Sequence, residues 1–410
     1  MSLAMSGRIL LVACIWMYHH FPEAQLHGES VPKMPAKRVI LLIFVSLLTA
    51  TSFGCQDKHL CASDKSRSEE DHMQTWLRYI ERTSDPLPPF SLESDFPRVM
   101  NATLPTIVFI AKPAIILVVS QDGTGHYRRI QEAVDAVRSW SKKRTVIHIK
   151  AGVYSEKVTI PRKKTHLSLI GESGSTIIEW NSTASDLGMN GKPLSTLRSA
   201  TVAVSAEYFV AKNIIFKNTA PSRGAQAVAL RISGDKAAFY NCTFLGYQDT
   251  LYDHRGRHYF KNCRIEGSVD FIFGSGRSLY QGCQLYASTQ GVVGFLTAQK
   301  RSLGSLNTGF SFVNSTISGS GAVYLGRAWG NDSRVVFSYT FMDDIVIPEG
   351  WSNWGIPARE KSVFYAEYEC YGPGADRSRR VRWARSLTPE EARPFLTIAF
   401  INGKKWVEEL

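Results

Sequence analysis

Residues 226–277 read QAVALRISGDKAAFYNCTFLGYQDTLYDHRGRHYFKNCRIEGSVDFIFGSGR and hold three polar sites in otherwise apolar or turn-like surroundings. These sites are Gln226, the pair Gln248 and Asp249, and Asp270. Gln226 and Gln248 are 22 residues apart, and Asp249 and Asp270 are 21 residues apart. If one coil of a solenoid takes this interval, these side chains lie on neighbouring coils, whose strands stack about 4.8 Å apart. The stretch therefore predicts one polar patch assembled from successive coils.

The interval recurs in three cysteines. Cys242, Cys263 and Cys283 are spaced 21 and 20 residues apart, each in a similar frame of aromatic and polar residues. A unit this short cannot bury its apolar face alone, so neighbouring units must stack. We predict an all-β fold, a parallel β-helix with the cysteines in an internal ladder. The alternative is a β-sandwich with accidental spacing, a class that lacks a fixed sequence period.

The composition favours an acidic partner but does not identify it. The chain has 410 residues, a formal net charge of +12 and a sequence pI of about 9.3. Nucleic acid, an anionic membrane and an acidic polysaccharide would all suit such a surface, as would a generally basic solvated surface with no partner. Because the sequence holds no nucleic-acid motif, we expect no nucleic-acid partner. The odd number of cysteines, seven, argues against a complete disulfide framework. No CxxC pair or Cys/His cluster with metal spacing occurs, so we expect no metal. We also expect no cofactor.

The N-terminal residues read as a secretory leader. Lys37 and Arg38 precede a short apolar run over 39–50, which small residues follow. The run is too short to span a bilayer comfortably. We divide the chain into residues 1–55 (extension and signal), 56–112 (lead-in) and 113–410 (catalytic domain), and expect a secreted, extracellular protein. Five glycosylation sequons fit that location, and they begin at Asn101, Asn181, Asn241, Asn314 and Asn331.

Helical patterns flank the strand-rich region. Ile130, Ala133, Val134 and Val137 recur at helical spacing, which predicts a short N-terminal helix to about residue 139 that caps the solenoid. Residues 386–410 predict a C-terminal helical segment that begins at a capping sequence around Thr388 and packs back against the coils. Residues 290–306 lack a coil pattern and predict a variable loop.

The polar patch predicts acid–base or nucleophilic chemistry. Two close carboxylates have pKa values that are pushed apart, so Asp270 and Asp249 can be one base and one acid. Arg327, two to three coils downstream, could pair with Asp270. Gln226 and Gln248 supply amide donors for a developing oxyanion. This set suits ester hydrolysis through an acyl-enzyme on an aspartate; the alternative for each residue alone is the capping of a strand or turn.

Several segments resemble the signature motifs of plant pectinesterases (pectin methylesterases). They are AGVYSE from 151, QAVALR from 226, GYQDTL from 246, VDFIFG from 269, LGRAW from 325 and EYECYGPGA from 367. The resemblance covers about residues 114–408 and implies a right-handed parallel β-helix that removes methyl esters from galacturonate units of pectin and releases methanol. It also implies the substrate pectin (homogalacturonan), the cell wall as location and proteinaceous pectinesterase inhibitors as partners; we expect a monomer.

The resemblance assigns roles by motif. Asp270 would be the nucleophile and Asp249 the acid/base, with Gln226 and Gln248 as the oxyanion hole. Arg327 would hold Asp270 ionised. A list of implied substrate contacts adds Thr196, Gln226, Arg327 and Trp329, with Trp351 and Tyr247 as weaker candidates for an aromatic cleft wall.

Two features depart from the family pattern. The usual Gly-Arg-Pro-Trp is Gly-Arg-Ala-Trp here, which predicts a looser loop at Ala328. The residues after the signal are too few for an inhibitor-like pro-region, which indicates a short-form member. Two alternative functions stay open: another pectin-active β-helix enzyme (a polygalacturonase or lyase), and a non-catalytic solenoid that binds wall polysaccharide.

Overall fold

The computed structural model describes residues 115–222 and 226–407. The predicted leader and lead-in, the Asn101 sequon and the cysteines at 14, 55 and 61 lie outside the described residues. The strands are β1 Ile115–Val119, β2 Thr145–Ile149, β3 Gly152–Ser155, β4 Val158–Ile160, β5 Leu167–Gly171, β6 Thr176–Trp180, β7 Val202–Val204, β8 Val210–Lys212, β9 Ile215–Asn218, β10 Leu230–Ile232, β11 Ala237–Tyr240, β12 Thr243–Leu245, β13 Leu251–Asp253, β14 Arg257–Lys261, β15 Arg264–Gly267, β16 Val269–Gly274, β17 Arg277–Gln281, β18 Gln284–Gln299, β19 Gly309–Val313, β20 Thr316–Arg327, β21 Arg334–Ser338, β22 Phe341–Met342, β23 Trp351–Ser352, β24 Phe364–Tyr368 and β25 Arg385–Ser386.

The helices are short and lie mainly at the two ends of the described chain. They are α1 Ile130–Ala136, α2 Ser195–Ser199 and α3 Pro389–Ala392, with 3-10 turns at Pro357–Lys361, Pro373–Ala375, Arg393–Phe395, Ile398–Ile401 and Gly403–Lys405. In the described part of the chain, no helix is long and apolar enough to cross a membrane.

The strands wind into a parallel β-helix. The first sheet has the order β1-β2-β5-β8-β11-β14-β17-β19-β21-β24-β25. A second row runs β3-β6-β9-β12-β15 and a third runs β4-β7-β10-β13-β16; both rows end on β18. Successive strands of each row pair in parallel, one coil apart. The predicted parallel β-helix is confirmed, and the sandwich alternative is excluded.

A row of residues with positive φ turns the chain out of the first sheet. We call it the turn row: Asn213, Asn241, Asn262, Gly282, Asn314, Tyr339 and Glu369, with φ from 47° to 64°. Each residue directly follows a strand of the first sheet. Asparagine and glycine tolerate this left-handed conformation best, which explains why they dominate the row. The backbone N–H of Asn241 donates to the backbone carbonyl of Lys261 on the next coil at 3.0 Å, and the backbone N–H of Asn262 donates to the carbonyl of Gln281 at 2.9 Å.

Inside the coils, aromatic rings and thiols stack in register. The rings of Phe239 and Phe260 are 4.8 Å apart, and the stack continues through Tyr280 at 4.5 Å and Phe312 at 4.5 Å. The predicted cysteine ladder is confirmed by three thiols that are free and about 1% exposed: Cys242, Cys263 and Cys283. Each buried ring contributes roughly 2–3 kcal/mol of hydrophobic stabilisation, so the ladder holds successive coils in one register.

Helix α1 covers the interior near the first strand, as predicted. Its apolar residues Ile130, Ala133 and Val134 are buried. The buried carboxylate of Glu156 accepts hydrogen bonds from the N–H groups of Ile130 at 2.7 Å and Gln131 at 3.1 Å, so it caps the helix. The helix ends at Ala136 rather than near residue 139, because Val137 adopts an extended backbone.

The C-terminal segment packs on the outer face of the first sheet, where Phe395, Phe400 and Trp406 join a second apolar cluster. Its capping box forms as predicted, since Thr388 accepts from the N–H of Glu391 and the Glu391 side chain accepts from the N–H of Thr388. The segment then continues as short 3-10 turns, not as one helix.

The predicted variable loop over 290–306 is wrong for most of its length. Strand β18 runs through it to Gln299, paired with β20. A Cβ on Gly294 would lie 2.6 Å from the Ser268 carbonyl oxygen. Close backbone packing thus requires glycine there, and glycine hides the strand pattern in the sequence.

Candidate active site

All seven site residues predicted from the sequence line one cavity of about 370 Å³ on the outside of the third row of strands. We call it the cleft; its lining is Ser195, Thr196, Leu197, Gln226, Gln248, Asp249, Tyr252, Asp270, Phe273, Ala298, Arg327, Trp329 and Trp354. The winding of the chain therefore brings together residues from position 195 to position 354.

Neighbouring coils place the polar side chains side by side. The N–H of Ala227 donates to the Gln248 carbonyl at 3.1 Å, and the N–H of Asp249 donates to the Val269 carbonyl at 3.0 Å. Gln226, Gln248 and Asp270 thus belong to three successive coils. The spacing of 22 and 21 residues in the sequence corresponds to one turn of the β-helix.

Both aspartates have an unusual backbone conformation. φ is 64° at Asp249 and 51° at Asp270, and their exposed fractions are 7% and 6%. The pairing of β16 with β18 is irregular between Val269 and Ile272, so Asp270 lies in a bulge. A bulge redirects a side chain, and here both carboxylates lie in the cleft rather than on the sheet surface.

Asp270 forms a two-point ion pair with Arg327. The guanidinium Nε donates to Oδ1 at 2.7 Å and Nη2 donates to Oδ2 at 2.5 Å. Two aromatic rings hold the guanidinium, with its central carbon 4.4 Å from the ring centre of Phe295 and 3.9 Å from that of Trp354. Such stacking is favourable in a partly desolvated site, and it fixes the arginine against the carboxylate.

The surroundings of the two carboxyl groups shift their pKa values to different extents. Burial raises the pKa of Asp270, and the hydrogen bond and charge of Arg327 oppose that rise. Burial and the charge of Asp270 raise the pKa of Asp249 well above its usual range, and the charge of Arg327 opposes this rise too. Because Arg327 bonds directly to Asp270, the pair loses its first proton from Asp270 and keeps the second on Asp249.

The amides of Gln226 and Gln248 line the same cleft. The structure shows no hydrogen bond from either side-chain amide to another described residue. Thr196, on α2, and Trp329, directly after the Arg327 loop, lie on the cleft wall. Within residues 115–222 and 226–407, no group of three His, Cys, Asp or Glu side chains could hold a metal ion.

The aromatic wall differs from the prediction. Trp351 is 1% exposed and belongs to the core, where it stacks on Tyr365 at 4.4 Å and donates from Nε1 to Glu367 at 3.2 Å. Tyr247 lies outside the cleft lining and donates to the Thr289 carbonyl. The sequence analysis missed three aromatic residues of the cleft: Tyr252, Phe273 and Trp354. For Trp354, the aromatic-rich turn at 350–354 was the signal.

The departure at Ala328 does not loosen the loop. The N–H of Ala328 donates to the Ser352 carbonyl at 3.0 Å, a bond that proline could not make. The side chain is fully buried, and Arg359 donates to the Ala328 carbonyl. Alanine therefore ties the Arg327 loop to the segment that carries Trp354.

A parallel β-helix with paired carboxylates, an arginine and amides in an outer cleft has the groups that a carboxylic ester hydrolase needs. The family model described as Pectinesterase matches residues 116–404, so the chain belongs to the pectinesterase family.

Relatives and solved structures agree with this membership. The chain is 48% identical over 299 residues to "Pectinesterase QRT1" of Arabidopsis thaliana, covering 71% of this chain and 78% of the relative. It is 48% identical over 305 residues to "Probable pectinesterase 8" of the same plant, covering 71% and 76%. A pectin methylesterase from carrot superposes with a TM-score of 0.68 at 38% identity, covering 71% of this chain and 94% of that one. A pectin methylesterase in complex with a hexasaccharide superposes with a TM-score of 0.62 at 29% identity, covering 72% and 98%.

Proposed function

We propose that this protein hydrolyses the methyl esters of galacturonate units in pectin, releasing methanol and acidic pectin. The observation that carries the proposal is the placement of an arginine-paired Asp270 and of Asp249, whose pKa is raised by burial and by Asp270, in one cleft. The carrot relative is a pectin methylesterase, and a related enzyme holds a hexasaccharide, which supports a polymeric sugar substrate.

In the first half of the reaction, Asp270 acts as nucleophile. One carboxylate oxygen bonds to the ester carbonyl carbon, and the C–O bond to the methoxy group breaks. Asp249 gives its proton to the departing oxygen, so that methanol leaves. Gln226 and Gln248 donate to the carbonyl oxygen as it becomes negative. Arg327 keeps Asp270 ionised before the attack.

The second half restores both aspartates. Asp249, now ionised, takes a proton from a water molecule, and the water oxygen bonds to the acyl carbon. The bond to Asp270 breaks, which releases the galacturonate carboxyl product and returns the Asp270 carboxylate. Thr196 and Trp329 contact the sugar chain along the cleft wall. This cycle uses no cofactor.

The decisive experiment measures methanol release from methyl-esterified pectin by the purified mature chain. We expect Asp270→Ala to lose about 10⁴-fold or more in turnover, with binding of the polymer retained. Asp344→Ala changes an exposed aspartate outside the cleft and should retain full turnover. Methanol release at the wild-type rate by Asp270→Ala would reject the assignment; binding without release by the wild type would favour a non-catalytic solenoid.

We also propose that residues 1–55 direct secretion and that residues 113–410 act as a monomeric catalytic domain in the cell wall. The exposed asparagines of the sequons at Asn181 and Asn331 are candidate glycosylation sites. Sequencing the N-terminus of the native protein should find a start after about residue 50; a mature form that keeps Met1 would contradict the proposal.

A further inference from the structure

A second groove, of about 580 Å³, lies between the first sheet and the C-terminal segment. We call it the basic groove. The cleft residues come from the second and third rows of strands and their loops. The cleft and the basic groove share no lining residue. The lining of the basic groove includes six charged or aromatic residues: Tyr208, Lys236, Arg257, Lys404, Lys405 and Trp406.

The groove has an excess of positive charge. Arg257 pairs with Asp235, its Nε donating to Oδ1 at 2.9 Å. Lys236 lies 4.4 Å from the ring centre of Tyr208 and has no carboxylate partner among the described residues. Lys404 and Lys405 are exposed, and neither forms an ion pair within residues 115–222 and 226–407. No carboxylate in this described part lines the groove.

The positive charge continues beyond the groove. Arg257 begins β14 and pairs in register with Arg277, the first residue of β17. Arg334 begins β21, two strands further along the sheet. Burial and then the charges of Arg301 and Arg277 lower the pKa of Arg334 to about 10, and its guanidinium packs against the rings of Phe395 and Phe400 in the C-terminal segment.

We propose that the basic groove binds a stretch of acidic polysaccharide, the de-esterified form of the polymer on which the cleft acts. The identity of this polymer rests on the proposed function. Charge complementarity favours this occupant: among the described residues the groove lining holds no carboxylate and its lysines form no ion pair, on a chain of net charge +12. A polymer held in the groove raises the local concentration of ester groups at the cleft. The enzyme therefore stays on pectin that it has already made acidic.

The test compares two double variants that remove the same charge. Lys404→Gln with Lys405→Gln alters the groove, whereas Lys142→Gln with Lys143→Gln alters an exposed lysine pair elsewhere. We expect the groove variant to bind fully de-esterified polygalacturonate about fivefold more weakly at low salt, and to elute from it at lower salt. The control variant should change binding less than about twofold. Turnover of a short methyl-ester oligomer, too short to span both sites, should stay at the wild-type level in both variants.

The remaining outcomes are distinct. Equal weakening by both variants would overturn the groove in favour of net charge alone, and unchanged binding by the groove variant would also overturn it. Groove-dependent binding of duplex DNA without groove-dependent binding of polygalacturonate would replace the polysaccharide as occupant. If the wild type released no methanol, the proposed function would fail. The polygalacturonate titration would still decide whether the basic groove binds the acidic polymer.

Discussion

The turn row and the aspartate pair share a backbone conformation and use it in opposite ways. Asn262 and Asp270 have φ of 53° and 51°. In the turn row the asparagines lie at the surface, and their backbone N–H groups donate to carbonyls of the next coil. In the cleft the aspartates are buried, and burial raises both pKa values. The turn row stabilises the fold. The cleft instead holds carboxylate charge away from the water that would solvate it at the surface.

This contrast shows which feature of the cleft destabilises the fold. Asparagine and aspartate tolerate a left-handed backbone better than other residues with a side chain. A coil with a local bulge, as at Asp270, can therefore turn a carboxylate into a cleft without a special loop. The destabilising part is the buried charge, and Arg327 offsets it through two hydrogen bonds to Asp270.

Removal of Arg327 should have a larger effect than any change in the turn row. We expect Arg327→Met to lower kcat/KM about 10³-fold, because Asp270 loses the cation that favours its ionised form. Since Arg327 opposes the rise in the pKa of Asp270, the acid limb of the pH–rate profile should move to higher pH. Steady-state rates of methanol release across pH measure both effects.

Arg264→Met is the matched control for that variant. Arg264 also pairs with a carboxylate, Glu266, at 2.9 Å, and its guanidinium stacks 4.3 Å from the ring centre of Tyr286. It lies outside the cleft. Its profile should match the wild type. An unmoved acid limb in Arg327→Met would show that another group sets the ionisation of Asp270.

The repeat interval made most of the fold and the site predictable. One period relates Cys242, Cys263 and Cys283, and the same period relates Asp249 to Asp270. Because each coil fixes the register of the next, residues at that interval must converge. The parallel β-helix, the cysteine ladder and the position of the carboxylates all follow from this one pattern.

The aromatic wall was less predictable because the period breaks downstream. From Gly282 to Asn314, two successive members of the turn row, is 32 residues, so position in a coil can no longer be counted from the sequence. Trp351 and Trp354 lie in one short turn, and only the structure tells which enters the core. The strand through 290–299 was hidden for a related reason, since close packing at Gly294 requires a residue without a side chain.

The turn row gives a prediction of intermediate size. We expect Asn262→Ala to lower the free energy of unfolding by about 1–2 kcal/mol, because alanine disfavours the left-handed conformation. Asn262→Gly should stay within about 0.5 kcal/mol of the wild type, since glycine adopts this conformation freely. Urea unfolding measures both, and the turnover of the folded variants should not change. If alanine and glycine were equally tolerated, backbone conformation would not be what selects asparagine in the row.

Asp249→Asn should have the smallest effect on stability and separates backbone conformation from charge. Asparagine keeps the left-handed backbone and resembles the protonated acid, but it cannot ionise. The folded-state pKa of Asp249 is raised above its unfolded value by burial and by Asp270. Its contribution to stability is thus complete below the unfolded pKa and is lost as pH rises through the folded pKa.

Relative to the wild type, the Asp249→Asn variant should gain about 1 kcal/mol in its free energy of unfolding at about pH 8 and almost nothing at about pH 4. Urea unfolding at the two pH values measures the gain, and Asp344→Asn, at an exposed site, should show none. Methanol release should be lost at both pH values, because asparagine cannot donate an acidic proton to the leaving methoxy group. A variant no more stable than the wild type at high pH would mean that the buried aspartate carries no cost, and the contrast with the turn row would then lose its physical basis.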